Sequence, residues 1–265
     1  MGKLKLGILG NGYLADIIVE AGLKGMLDEY ELVGVLGRTR EKTELLAKKG
    51  GCRACSTIDE LLALAPDYVA EAASVQSVKD CGVKILASGA SMIVLSIGAF
   101  ADKEFYGQVK ETAAVHGTRV YIASGAVGGF DVLRTISLMG QAEAGIRTKK
   151  GPASLKGTPL FEERLMEDTQ ESHVFHGNAK EAISLLPTKV NVAVASSLAT
   201  VGPEDTRVDI YSVPGMVGDD HKITSEIEGV KAVVDIYSST SAIAGWSVVA
   251  VLQNIASARI PRFLR

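Results

Sequence analysis

The first half of the chain alternates short apolar runs with amphipathic stretches, the pattern of strands and helices in a doubly wound parallel sheet. Residues 3–9 predict a strand and residues 16–27 a helix. Residues 31–36 predict a second strand, and 40–49 a charged amphipathic helix. Thr57-Ile58-Asp59-Glu60 is a capping-box signature before a helix ending near Ala65. Strands are then expected at 67–73, 91–97 and 118–124, with helices at 74–88 and 102–116. Gly89 and Gly117 stop these two helices.

The pattern changes at Gly125-Ala126-Val127-Gly128-Gly129. Beyond it the strands lengthen and alternate: 145–150, 172–176, 206–213, 221–228 and 231–238. Helices at 178–186 and 190–200 interrupt them. Alternation of this kind predicts an α+β domain with a mostly antiparallel sheet, one face covered by helices. The expected organisation is a Rossmann-type domain over 1–125 and an α+β substrate or dimerisation domain over 126–240. A C-terminal helix within 241–265 is expected to pack back on the first domain.

The junction of the first strand and helix carries a chemical signal. Gly10-Asn11-Gly12-Tyr13-Leu14-Ala15 is the alanine-ended form of the dinucleotide-binding fingerprint, placed where the mechanism requires it. Gly10 allows the tight turn, Gly12 lets backbone approach a pyrophosphate, and Ala15 lets the helix pack close to the strand. The helix N-terminus offers N–H groups and a positive dipole end to phosphate. An NAD-preferring site has Asp or Glu about 20 residues further on, holding the ribose 2′-OH. Here that position is Gly37, followed by Arg38-Thr39-Arg40. Without a carboxylate, and with Arg38 and Thr39 beside it, the site is expected to prefer NADP(H) while admitting NAD(H).

The bulk composition leaves this reading intact. Hydrophobic content of 47%, charged content of 22% and a net charge of −3 describe an ordinary globular chain, with no electrostatic reason to expect nucleic acid or an anionic membrane. No apolar run approaches the roughly 18 residues of a membrane span, and no secretory signal fits the opening residues, so a cytoplasmic location is expected. Three cysteines argue against a disulfide framework. Cys52 and Cys55 have redox or zinc spacing but no second ligand pair, so that stretch reads as a loop and no metal site is expected.

The histidines are His116, His173, His176 and His221. His116 ends a helix, where the dipole favours it. His173 and His176, three apart on a strand, are expected on opposite faces. His221 follows the acidic loop 215–220 and begins a strand, so it is either an acid/base group or an ordinary loop histidine. Asn191 opens an apolar helix and reads as a cap or a ligand contact. Lys149 and Lys150 end a strand, where they either clamp a carboxylate or are solvated.

Together the motifs resemble the L-aspartate dehydrogenases over nearly the whole chain. The carriers are the Gly10/Gly12 loop, Glu71-Ala72-Ala73-Ser74, residues 95–102, Ser124-Gly125-Ala126-Val127-Gly128-Gly129-Phe130-Asp131 and Thr148-Lys149-Lys150-Gly151-Pro152. They continue through residues 175–182, Val190-Asn191-Val192-Ala193, Asp220-His221-Lys222-Ile223, and Thr240-Ser241 followed by Ser247. The resemblance implies a Rossmann domain with an α+β partner domain, a homodimer, and interconversion of L-aspartate and iminoaspartate with NAD or NADP. It also implies that Ala126 and Asn191 lie at the nicotinamide end of the cofactor and that His221 is catalytic.

Three positions depart from the family pattern. Lys189 stands where the family has the first Asn of Asn-x-Asn-Val, and Asp219 where it has the Asn of Asn-x-His. Residues 237–241, Tyr-Ser-Ser-Thr-Ser, replace Asn-Pro-Lys-Thr-Ser, so Ser239 takes the place of a lysine. Lys149, Lys150 and Lys189 are the candidate cations for a dicarboxylate substrate. The departures motivate an alternative, a same-fold dehydrogenase or imine reductase with another substrate. A non-catalytic NADP(H)-binding protein is the alternative from a different class.

Overall fold

The computed structural model describes residues 2–186 and 191–257. It divides into two compact units, Met1–Gly125 with Ala242–Arg265, and Ala126–Ser241. In chain order the first unit contains β1 (Leu4–Leu9), α1 (Tyr13–Leu23), β2 (Tyr30–Leu36), α2 (Arg40–Gly50), β3 (Arg53–Cys55), α3 (Ile58–Leu62), β4 (Tyr68–Glu71), α4 (Val75–Ala87), β5 (Ser91–Val94), α5 (Lys103–His116) and β6 (Val120–Ile122). The second contains α6 (Phe130–Met139), β7 (Glu143–Lys150), β8 (Ser172–Asn178), α7 (Ala179–Leu185), α8 (Asn191–Ala199), β9 (Thr206–Ser212), β10 (Asp219–Ile227) and β11 (Val230–Ser238). The last helix, α9 (Ala242–Ala256), belongs to the first unit.

The first sheet has six parallel strands in the order β3-β2-β1-β4-β5-β6. Helices cover both faces of such a sheet, so its central strands read as continuous apolar runs. Ile8, Val35, Val69, Ala70, Ile93 and Val94 are accordingly fully buried. The α9 helix adds Val248, Val249 and Leu252 to this core. Hydrogen bonds tie it in as well: the Tyr30 hydroxyl donates to the Leu252 carbonyl at 2.7 Å, and the Gln253 side-chain amide donates to the Met26 carbonyl at 2.8 Å.

Two local expectations for this unit need correction. The Cys52–Cys55 stretch is not a loop throughout, because residues 53–55 form β3 and pair with Gly34, Val35 and Leu36. Three residues are too few to show a period, so only the neighbouring strand makes this one. The capping box at Thr57 is displaced: the Thr57 hydroxyl accepts from Glu60 N–H at 3.2 Å, but the Glu60 carboxylate accepts from Ser56 N–H at 2.8 Å.

The second sheet runs β11-β10-β7-β9-β8, with β7 and β9 parallel and the other pairs antiparallel. Burial alternates along its inner strands. Ile146, Thr148, Lys150, Val208, Ile210, His221 and Ile223 are buried, while Arg147, Lys149, Asp209, Tyr211 and Lys222 face the other way. The α6 and α8 helices pack against this sheet. The α6 helix is absent from the sequence expectations. It follows the glycine-rich break directly, buries only Leu133 and Ile136, and contains several β-branched residues that weaken its helical signal. Among the described residues, no helix is long and apolar enough to cross a membrane.

Candidate active site

In the first unit, the candidate residues gather at the carboxyl ends of β1 and β2, where open α/β sheets bind ligands. Gly10 sits at φ +135°, and a Cβ there would lie 2.4 Å from the Ala72 carbonyl oxygen. Only glycine allows β1 to turn against β4 at this point. Gly12 is the N-cap of α1 and makes no side-chain cap bond, so no protein side chain there claims the first N–H groups of the helix. A Cβ at Gly12 would meet nothing within 4 Å. Ala15 is fully buried against the sheet. An open glycine over helix N–H groups fits a bound pyrophosphate.

Beside it, Asn11 plays a part that the fingerprint alone does not reveal. Its side-chain amide donates to the Thr39 carbonyl at 2.8 Å and to the Thr43 hydroxyl at 2.9 Å. A Cβ at Gly37 would lie 2.3 Å from the Asn11 Cγ. Asn11 therefore braces the glycine loop against the start of α2 and excludes a side chain at position 37. The missing carboxylate thus has a packing cause in addition to any cofactor preference. Arg38 and Thr39 are exposed, whereas Arg40 is committed to Glu44 and to the Ser56 hydroxyl.

Glu71, at the end of β4, is a second residue whose role the sequence conceals. It is 0% exposed, and its carboxylate accepts from the N–H groups of Ala73 (2.8 Å), Leu95 (3.1 Å) and Ser96 (2.8 Å) and from the Ser96 hydroxyl (2.8 Å). Burial pushes its pKa up, and these four donors oppose that shift. The carboxylate joins the ends of β4 and β5 and so shapes the loops at the ligand-binding edge of the sheet.

In the second unit, two cross-strand pairs on the buried face form the other candidate centre. β7 and β10 place Thr148 opposite His221 and Lys150 opposite Asp219. His221 is 5% exposed, and its Nδ1 lies 3.0 Å from the Thr148 hydroxyl. Its Nε2 lies 4.0 Å from an Asp219 carboxylate oxygen, beyond hydrogen-bond reach. Lys150 is 9% exposed and its Nζ stands 3.6 Å from the other Asp219 oxygen.

Burial lowers the His221 pKa below its ordinary value. Asp219 and Asp220 pull it back up, and Lys150 adds to the lowering. The imidazole is thus held neutral at neutral pH, with a buried lysine beside it. A neutral imidazole accepts a proton, and a lysine in reach of a carboxylate holds an anion.

The remaining candidates are distributed as follows. Lys149 does not join this group. Strand alternation turns it to the opposite face, where it pairs with Glu171 at 2.6 Å. Ala126 lies half-buried in the turn after β6, and Asn191 is the half-buried first residue of α8. Lys189 lies outside the described residues. Ser239 is exposed just beyond β11.

A second histidine group was not expected. His173 and His176 share one face, contrary to their spacing, because the pairing of β8 with β9 slips by one residue between His173 and Phe175. The extra residue, Val174, resets the alternation. Both imidazoles converge on Asp209.

Residues 131–255 match the family model described as aspartate dehydrogenase, C-terminal, and residues 6–123 match that of the homoserine dehydrogenase NAD-binding domain. An L-aspartate dehydrogenase of Methanococcus maripaludis is 33% identical over 261 residues, covering 95% of this chain and 97% of its own length. That of Methanosarcina mazei is also 33% identical, over 264 residues, with 95% and 97% covered. The crystal structure of aspartate dehydrogenase from Thermotoga maritima superposes with a TM-score of 0.76 at 26% identity, covering 97% of this chain and 98% of its own. With that extent of likeness, over both units and nearly end to end, the chain belongs to the L-aspartate dehydrogenase family and is an NAD(P)-dependent amino-acid dehydrogenase.

Proposed function

We propose that the enzyme interconverts L-aspartate with iminoaspartate, and hence with oxaloacetate and ammonia, and that it prefers NADP(H) to NAD(H). The observation that carries the reading is two facing cross-strand pairs, the buried Thr148 with His221, and the buried Lys150 with the partly exposed Asp219.

The nicotinamide group, when bound, supplies hydride transfer at its C4. Gly10, Gly12 and Ala15 suit its pyrophosphate, and Arg38 with Thr39 suits a 2′-phosphate. Ala126 and Asn191 are assigned to its nicotinamide end on the family resemblance. The chain's own chemistry concerns protons and charge. The substrate ammonium must become a neutral amine before its α-carbon can release hydride. The neutral His221 takes that proton at Nε2, in the tautomer whose Nδ1–H donates to the Thr148 hydroxyl. In the next step water adds to the imine carbon; His221 holds and returns protons as ammonia leaves. In the reductive direction the same transfers run backwards. Of the candidate cations, Lys150 stands on the His221 face and is assigned to a substrate carboxylate.

Asp219 favours a second reading, an altered substrate. Its carboxylate already occupies the neighbourhood of Lys150, so a dicarboxylate must compete with it for the lysine. A panel of 2-oxo acids with ammonia and either NADPH or NADH separates the two readings. Oxaloacetate with NADPH is expected to give the highest kcat/KM, and a better oxo acid would replace aspartate as the substrate class. Arg38→Ala should weaken NADPH by about 1–3 kcal/mol, the range for a charge-assisted hydrogen bond, and leave NADH nearly unchanged. Equal loss for both cofactors would remove the 2′-phosphate assignment. A homodimer, implied by the resemblance, is checked by light scattering.

A further inference from the structure

The geometry points to a divalent transition-metal site on the exposed face of the second sheet, formed by His173, His176 and Asp209. His173 Nε2 lies 2.9 Å and His176 Nδ1 2.8 Å from the same Asp209 oxygen, Oδ1. One donor atom from each residue lies within 4.8 Å of the other two. Ligand atoms around a zinc ion at about 2.0–2.2 Å stand roughly 3–3.5 Å apart, so small side-chain rotations close the set.

The arrangement is built by backbone and packing rather than by one sequence motif. The slip at Val174 brings the two histidines of β8 to one face, and the register of β8 with β9 sets His176 directly opposite Asp209. The His173 ring stacks on Tyr211 at 4.4 Å with only 8° between the planes, which limits its rotation. His176 is 65% exposed at its side chain, so the remaining coordination positions open to water. Arg207 approaches the other Asp209 oxygen at 3.7 Å and leaves Oδ1 to the imidazoles.

Two imidazoles and one carboxylate form a borderline donor set. It favours zinc, cobalt, nickel or copper over magnesium or calcium, which take oxygen ligands. The site faces away from His221, since Asp209 and Val208 alternate on β9 and only Val208 joins the buried face. Its consequence is structural: the ion joins the edge strand β8 to β9 and stabilises the native state by mass action. Cys52 is a poor competitor, because burial pushes its thiol up to about 11 and a thiol must ionise to bind metal.

The test uses tag-free protein stripped with a chelator. Zinc and cobalt are titrated by calorimetry, with cobalt also followed by its visible ligand-field absorption. One equivalent is expected to bind, with a rise in Tm and a nitrogen- and oxygen-ligand spectrum free of thiolate charge transfer. His176→Ala and Asp209→Asn are each expected to weaken binding by at least about tenfold, since even outer-shell partners of a metal carry that much. His116→Ala, a lone exposed histidine, should leave it unchanged. The proposal is overturned if neither metal binds saturably, if His176→Ala binds as well as wild type, or if magnesium raises Tm equally.

Discussion

One sheet carries two histidine–carboxylate groups on its opposite faces, and they are built for different tasks. On the buried face, His221 is shielded from water and stands 4.0 Å from Asp219, with Lys150 sharing the carboxylate. On the exposed face, His173 and His176 sit at hydrogen-bond distance from Asp209. The closer carboxylate contact therefore belongs to the wetter group. Burial decides the electrostatics of the first, where desolvation outweighs two nearby carboxylates and keeps the ring neutral. In the second, the side chains of His173 and His176 are 40% and 65% exposed, so water competes for the same carboxylate. Proximity of a carboxylate alone does not make a histidine a base; water exclusion and the neighbouring lysine set its state.

The largest expected effect separates the two faces outright. His221→Ala should lower turnover by roughly 10²–10⁴-fold, the usual share of general acid–base catalysis, with NADPH affinity close to wild type by fluorescence titration. His176→Ala should leave turnover within error. Comparable losses in both variants would erase the distinction between the faces.

Thr148→Val tests whether the buried ring needs its hydroxyl partner. Loss of one hydrogen bond worth about 0.5–1.5 kcal/mol predicts a fall in kcat of roughly two- to thirteenfold. Thr148→Ser should restore most of it, and KM should move less than kcat. An unaltered kcat in Thr148→Val would leave the ring oriented by packing alone.

Asp219→Asn probes the competition for Lys150. Removing this carboxylate takes away an interaction that raises the His221 pKa, so the acidic limb of kcat/KM should move to lower pH. Lys150 is freed at the same time, and kcat/KM for oxaloacetate should rise several-fold, the scale of a partly screened charge interaction. Identical pH profiles for the variant and wild type would place Asp219 outside the reacting centre.

The smallest effect is on stability. His221 has a folded-state pKa below its unfolded value of about 6.5, so the unfolded chain binds more protons as pH falls through that value. The contribution is present above this range and lost below it. Chemical denaturation at pH 7.5 and pH 5.5 should show a larger loss for wild type than for His221→Gln. Equal losses in wild type and His221→Gln would mean that desolvation does not govern the buried ring.

Local chemistry made the first unit legible in the sequence. A strand, two glycines, an alanine and a helix are contiguous, and their function rests on backbone N–H groups and the absence of side chains, so spacing alone carries the signal. The parallel sheet followed from alternating apolar runs and amphipathic helices. The Asn11 brace and the Glu71 tie were not legible. Each depends on partners brought in from other elements, Thr39 and Thr43 for one, Leu95 and Ser96 for the other.

In the second unit the sequence by itself determined the strands, their alternation and the identity of His221 as a candidate. Tertiary structure decided which residues meet. Lys149 and Lys150 are neighbours in the chain, yet the pleat sends them to opposite faces, and only strand order shows which face holds His221. Thr148 and His221 are 73 positions apart and meet only through the register of β7 with β10. His173 and His176 obey the period-two rule only until a one-residue slip against β9 reverses it. Pairing register is a property of two strands at once, and a one-residue change moves a side chain across the sheet, so no single segment can specify it.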